Sequence, residues 1–170
     1  MDLPRRRTDS MHFGVLIQRA TRGEASEIAR VLRESFAEFE ALYTPGGFAA
    51  TVLDLERVTQ RLDEGPVWLA LRAGQVAGTA SALRKGEFDL YVRGVAVVPQ
   101  ARGCGIAASL LNQVERFARQ EQCRRLFLTT TPFLDSAIRL YERSGFMRVL
   151  NGEENLFGTP LFTMEKKLEF

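Results

Sequence analysis

Val95-Ala96-Val97-Val98-Pro99-Gln100-Ala101-Arg102-Gly103-Cys104-Gly105-Ile106-Ala107 runs directly into an amphipathic stretch, and the reading of this segment decides the fold. A β-branched run, a Pro break, an arginine and two glycines lead into an apolar stripe at Ile106, Leu110, Val114 and Phe117. That order predicts a strand ending on an anion cradle, because glycines let successive backbone N–H groups converge at a helix N-terminus. Spacing narrows which anion. Gly103-x-Gly105-x-x-Ala108 formally matches a dinucleotide fingerprint, but that turn follows its strand almost at once and wants an acid closing the next strand. Here residues 99–102 intervene, and the next strand ends in Thr129-Thr130-Thr131. Residues 1–94 also precede the motif, whereas a dinucleotide unit usually opens its domain. A P-loop needs Lys-Ser/Thr after the glycines, and none follows.

Outward from this segment the chain alternates strands and helices, with no repeat and no linker. Residues 15–20 predict a first strand. Thr21 and Glu24 have capping-box spacing, and Ile28, Leu32 and Phe36 recur at helical intervals. Residues 39–48, carrying Tyr43, Pro45, Gly46 and Gly47, predict a bend. Leu55, Val58 and Leu62 mark a second helix that Gly65-Pro66 stops. Residues 67–71 and 75–83 predict a hairpin across Arg72-Ala73-Gly74, and residues 88–98 a long strand. After the third helix come a strand over 125–129 and a short helix from Asp135-Ser136 through Ser144, which Gly145 ends. Strands over 146–150 and 162–168 close the chain, and residues 152–160 predict a flexible loop. The fold class is α/β (α+β): a mixed, mostly antiparallel sheet flanked by about four helices, with one strand–helix–strand crossover at the glycine loop.

At 170 residues the chain is one ordinary domain, and 45% hydrophobic with 26% charged residues is a globular composition. Residues 1–13 read as a flexible basic leader and 14–170 as the domain, with Met11 a second candidate start. The leader lacks the apolar core of a signal peptide, and no run approaches membrane-spanning length. The net charge is +2, and Arg5-Arg6-Arg7 set against Asp2 and Asp9 supplies half of it. The remainder leaves no electrostatic footprint for nucleic acid or an anionic membrane. Cys104 and Cys123 have neither metal nor disulfide spacing, which fits a reduced cytoplasm. The sole histidine, His12, lies in the leader, so Ser-His-Asp, Cys-His and His-based metal chemistry are set aside and no metal is expected.

Arg102-x-x-Gly105-x-Ala107 resembles the R/Q-x-x-G-x-G/A signature of the GNAT N-acetyltransferase superfamily, where the loop caps the pyrophosphate of coenzyme A. Val95-x-Val97-x-Pro99 is similar to that family's strand ending. Ala137-Ile138-Arg139-Leu140-Tyr141-Glu142-Arg143-Ser144-Gly145-Phe146 is similar to its A-x-x-L-Y-x-x-x-G-F segment. The likeness covers residues 67–146 well and the first two helices by pattern. It implies a GNAT fold with a splay in the sheet beside the coenzyme, acetyl-CoA as cosubstrate, and acetyl transfer to a primary amine of a small molecule or peptide by direct attack in a ternary complex. A catalytically weak or inactive acyl-CoA-binding sensor module is the alternative. The oligomeric state, including a homodimer, stays open.

The resemblance assigns the coenzyme to Val95, Ala96 and Val97, whose main chain pairs with the pantetheine arm and polarises the acetyl carbonyl, and to the loop Arg102, Gly103, Cys104, Gly105, Ile106 and Ala107. The Cys104 side chain is expected to point out of the loop, not to act as a nucleophile. Arg102 opposes the helix macrodipole, a cost that a bound polyanion would offset. Tyr141 either directs its hydroxyl at the coenzyme sulfur as the proton donor or is a core residue of the stripe with Ala137 and Leu140. Relatives often carry a carboxylate where this chain has Tyr91. Strand alternation puts Glu87, Asp89 and Tyr91 on one face, so Asp89 or Glu87 is the candidate base, unless both merely serve the Lys85-Gly86-Glu87 turn. Leu134 stands where some relatives carry a coenzyme-contacting Asn. Phe39, Tyr43, Phe48 and Tyr91 are the candidate acceptor wall, apolar enough to favour a modest-sized amine over a highly cationic one.

Overall fold

The structure, a computed structural model, describes residues 10–12 and 14–170. In chain order the elements are β1 (Ser10–His12), β2 (Val15–Arg19), α1 (Ala25–Phe36), α2 (Pro45–Thr51), α3 (Leu55–Glu64), β3 (Val67–Arg72), β4 (Gln75–Lys85), β5 (Asp89–Val97), α4 (Ile106–Gln120), β6 (Arg125–Thr130), α5 (Asp135–Arg143), β7 (Met147–Leu156) and β8 (Thr159–Lys167). The eight strands form one sheet in the order β1-β2-β3-β4-β5-β6-β8-β7. Every neighbouring pair is antiparallel except β5 and β6, which are joined by the α4 crossover. Of the leader expected over 1–13, residues 10–12 pair with β2 as β1, and the rest lies outside the described residues.

The helical stripes follow the predicted periodicity except at Leu55, which opens α3 and is exposed. Ile28, Val31 and Leu32 of α1, Val58 of α3, and Ile106, Leu110 and Val114 of α4 are all essentially inaccessible. Both α1 and α4 pack on β4 and β5, and α3 packs beside α1. Residues 77–82 of β4 are buried without alternation, the pattern of a strand covered on both faces.

Two features of β5 shape the site. Its pairing with β6 lasts only from Asp89–Arg125 to Tyr91–Phe127, after which the strands part. Against β4 the register shifts between Thr79–Ala96 and Ser81–Arg93, so Gly94 and Val95 stand opposite the single residue Ala80. This β-bulge sharpens the local twist, and Gly94 takes the left-handed conformation it requires, at φ +63°.

The expected bend at 39–48 contains a helix that the reading missed. Thr44 caps α2, accepting from Gly47 N at 3.0 Å, and Pro45 opens its first turn. The Thr44 hydroxyl also donates to Phe157 O at 2.8 Å, tying α2 to the β7–β8 turn. Of residues 152–160, expected as a loop, 154–156 and 159–160 pair across the turn of that hairpin, while 152 and 153 fall in a break of its register. The Thr21–Glu24 box also differs, because residues 22–24 form a single tight turn and α1 begins at Ala25. Thr44→Ala is expected to cost about 1–2 kcal/mol, since one cap and one tertiary hydrogen bond are lost together, and urea denaturation measures it.

Candidate active site

The parting of β5 from β6 opens a cavity of about 1130 Å³. Residues 91–97 of β5, the loop and first turn of α4, residues 128–131 of β6 and beyond, α5 and the β7–β8 hairpin all line it. From Val92 onward β5 has no β6 partner, so the polar main-chain groups on that edge are available to a ligand. Gly103 and Gly105 sit at φ +77° and +76°, with no heavy atom within 4 Å of where a Cβ would project. The loop ahead of α4 is therefore uncrowded, and the first N–H groups of that helix have no intrahelical acceptor, as a phosphate cradle demands.

The structure brings together most of the residues singled out from the sequence. Val95, Ala96, Val97, Arg102, Gly103, Gly105, Ile106, Ala107, Phe39, Tyr43, Tyr91 and Tyr141 all lie on the lining, and so does Leu134. Cys104 does not. Its exposed thiol is turned outward, where Arg72 Nη1 donates to it at 3.0 Å. Phe48 is also off the lining and instead backs Tyr43 edge-on, with ring centroids 5.9 Å apart. The Arg102 guanidinium is answered within the chain: it pairs with Glu38 and donates to Ser35 O at 2.9 Å. Both ionic partners are more than 40% exposed, so the pair is weak enough to exchange for a phosphate.

The proposed bases need correction. Asp89 lies at the closed end of the splay, where Arg125 Nη1 donates to it at 2.8 Å, and Glu87 is exposed in the turn before β5. Neither reaches the cavity. Alternation does keep Asp89 beside Tyr91, but the opening begins only beyond Tyr91. The carboxylates on the lining are Asp135, in the first turn of α5, and Glu154 of β7. Glu154 is oriented by Asn151 Nδ2, which donates at 3.0 Å, and by Thr163 Oγ1, which donates at 2.8 Å.

Tyr141 is 7% exposed and packs against Phe146 at 5.9 Å between ring centroids. Burial, reinforced by neighbouring Tyr43, raises its phenol far above the ordinary tyrosine range. Burial likewise raises Tyr43. Phe133 was missed; it meets Tyr43 edge-on at 4.9 Å and stacks near Phe39 at 6.4 Å. Arg61 and Arg93 were missed as well, and both face the cavity. Among the described residues no cluster of His, Cys, Asp and Glu is arranged to hold a metal, and no helix is long and apolar enough to cross a membrane.

An open sheet that splays beside a glycine-rich helix start defines a class, and comparison with known proteins places the chain within it. A profile of the acetyltransferase (GNAT) family matches residues 28–146. The uncharacterized N-acetyltransferase YjgM of Escherichia coli K12 is 30% identical over 139 residues, spanning 79% of this chain and 83% of that protein. A ribosomal-protein-alanine N-acetyltransferase from Brucella melitensis superposes with a TM-score of 0.70 at 27% identity, covering 90% of this chain and 99% of that one. A PaiA N-acetyltransferase from Thermoplasma acidophilum, solved in complex with coenzyme A, shares the fold at 15% identity, with a TM-score of 0.77 and coverage of 91% and 99%. The chain belongs to the acetyltransferase (GNAT) family.

Proposed function

We propose that the chain binds acetyl-CoA along the splay and passes its acetyl group to a primary amine of a small molecule or peptide by direct attack within a ternary complex. The observation that carries this reading is the unpaired edge of β5 over residues 92–97, opening on the same cavity as the loop and Tyr141. Residues 102–107 fit a pyrophosphate, because their glycines leave the helix start open. When bound, the coenzyme supplies an activated thioester. Everything else falls to the chain's own groups.

Residues 95–97 present main-chain groups that hold the pantetheine arm as an added strand would, and an N–H that polarises the acetyl carbonyl. Holding both reactants on this rigid edge supplies much of the acceleration, up to ~7–11 kcal/mol for well-oriented partners. The Tyr141 hydroxyl, protonated throughout the neutral range, donates to the departing sulfur. Glu154 is the carboxylate assigned to take the amine proton, directly or through water, in place of Asp89 and Glu87. Arg102 exchanges Glu38 for phosphate oxygens as the loop fills.

The test pairs two measurements. Acetyl-CoA is expected to raise the melting temperature, and amines are expected to accelerate release of free thiol. Stabilisation without amine-dependent thiol release would leave a sensor module, and stabilisation by NADH but not by acetyl-CoA would overturn the reading altogether.

A further inference from the structure

The wall of the cavity formed by α3 and the β5 bulge carries two arginines that acetyl transfer itself does not use. Arg61, from α3, lies with its guanidinium over Gly94; a Cβ at that glycine would fall 2.6 Å from Arg61 Nη1. Arg93, just before the bulge, spends one nitrogen on Glu64, and its Nε is buried with no hydrogen-bond partner. Glu64 pairs with Arg93 and forms no ion pair with Arg61. The Arg61 guanidinium makes no hydrogen bond or ion pair among the described residues, although the residue lines the cavity. A desolvated cation without a partner is expensive to keep, and such groups persist where a ligand completes them.

The geometry points to an acceptor amine that carries its own carboxylate, bound by Arg61 with Arg93 beside it; this rests on the acetyltransferase reading above and specifies its substrate class as amino acids. The chemistry supports that choice. A guanidinium presents a planar fork that a carboxylate fills in bidentate fashion, and the second positive charge of Arg93 beside it adds to the attraction. Burial, then repulsion from Arg93, pushes the Arg61 guanidinium down to about 10, so it remains cationic at neutral pH but is poorly satisfied. A carboxylate entering this wall would offset both penalties by direct attraction. A peptide N-terminus has an amide in that place and would leave the cation unanswered. A highly cationic amine would meet like charge. Glu154, elsewhere on the lining, suits the ammonium end of the same molecule.

The experiment compares L-amino acids, glycine and β-alanine with their carboxamides as acceptors, in the wild type and in Arg61→Gln and Arg61→Lys. The wild type is expected to prefer the acids by about tenfold to a hundredfold in kcat/KM, the scale of one charge-assisted bond. In Arg61→Gln that preference is expected to collapse through a higher KM for the acids, with the lysine variant keeping part of it. Stabilisation by acetyl-CoA should not change in either variant. Without ligand, Arg61→Gln should melt no lower than the wild type, because a half-buried charge with no ion-pair partner has been removed. Equal use of acids and amides by the wild type overturns the inference. An equal loss for both in Arg61→Gln, with a lowered melting temperature, also overturns it and makes Arg61 a structural residue. If acetyl-CoA stabilises the chain and no acid reacts, the carboxylate inference alone fails. If acetyl-CoA neither stabilises nor reacts, the acetyltransferase reading fails with it.

Discussion

Replacing Tyr141 with Phe is expected to lower kcat by about tenfold to a hundredfold while acetyl-CoA affinity stays nearly constant, because a hydrogen bond to a charged group contributes about 1.5–3 kcal/mol. The substitution keeps the ring, which is buried and packed on Phe146. What it removes is one hydroxyl on the cavity wall. Burial raises that phenol well above its ordinary range, so it does not ionise at any pH suited to an assay. A raised phenol is a weak acid, but the low-polarity surroundings that penalise a tyrosinate also penalise a departing thiolate. A strong hydrogen bond, needed only as charge develops on sulfur, satisfies both constraints. The loss therefore belongs in kcat and not in coenzyme binding. The sign of the pH dependence follows. Tyr141 is fully protonated below its raised value, so it supplies no alkaline limb near pH 10, and the variant should retain the shape of the wild-type profile. Steady-state kinetics from pH 6 to pH 9.5 or so, with calorimetric binding of acetyl-CoA, checks each part. An unchanged kcat would return Tyr141 to the role of a core residue.

The donor half of this site was legible because it is written locally. The loop at Arg102–Ala107 and the segment at Ala137–Phe146 each carry their meaning in consecutive residues, so spacing sets aside a dinucleotide or P-loop cradle and the family resemblance supplies coenzyme A. The acceptor half is assembled from elements far apart in sequence. Arg61, Arg93, Phe133 and Glu154 meet only once α3, β5, the segment after β6 and the β7–β8 hairpin come together. Each reads in isolation as an ordinary polar or apolar residue. Asp89 failed for a related reason. Alternation fixes which face of β5 it shares with Tyr91, but where β5 leaves β6 depends on a pairing three residues long. The helix at Pro45–Thr51 did have a signal, Thr44 capping ahead of Pro45, and the glycines following it obscured that signal. The outer arms of the β7–β8 hairpin were read as strands, but its inner part was hidden because Asn151-Gly152-Glu153-Glu154-Asn155, ahead of the tip at Phe157-Gly158, has low strand propensity.

Gly94→Ala is expected to reduce kcat/KM by about a hundredfold, since displacing a reacting group by about 1 Å has effects of that order. Two consequences of a single methyl group are at work. At φ +63° any side chain is strained, which costs roughly 1–2 kcal/mol. The new Cβ would also fall 2.6 Å from Arg61 Nη1 and 3.5 Å from Ser81 Oγ, so the guanidinium must leave its place over the bulge. Relieving the strain by straightening the bulge would slip residues 95–97 against β4, turning away the main-chain groups that face the cavity. Either response damages the site, one through the acceptor and the other through the acetyl carbonyl. Gly86→Ala separates these effects from strain alone. Gly86 has φ +71° in the β4–β5 turn, but no atom lies within 4 Å of its would-be Cβ. The two variants should therefore lose similar stability, a few degrees in melting temperature for a chain of this size. Only Gly94→Ala should lose activity. Equal turnover in the two would mean that the bulge does not aim the strand, and that the site tolerates a β5 paired regularly along β4.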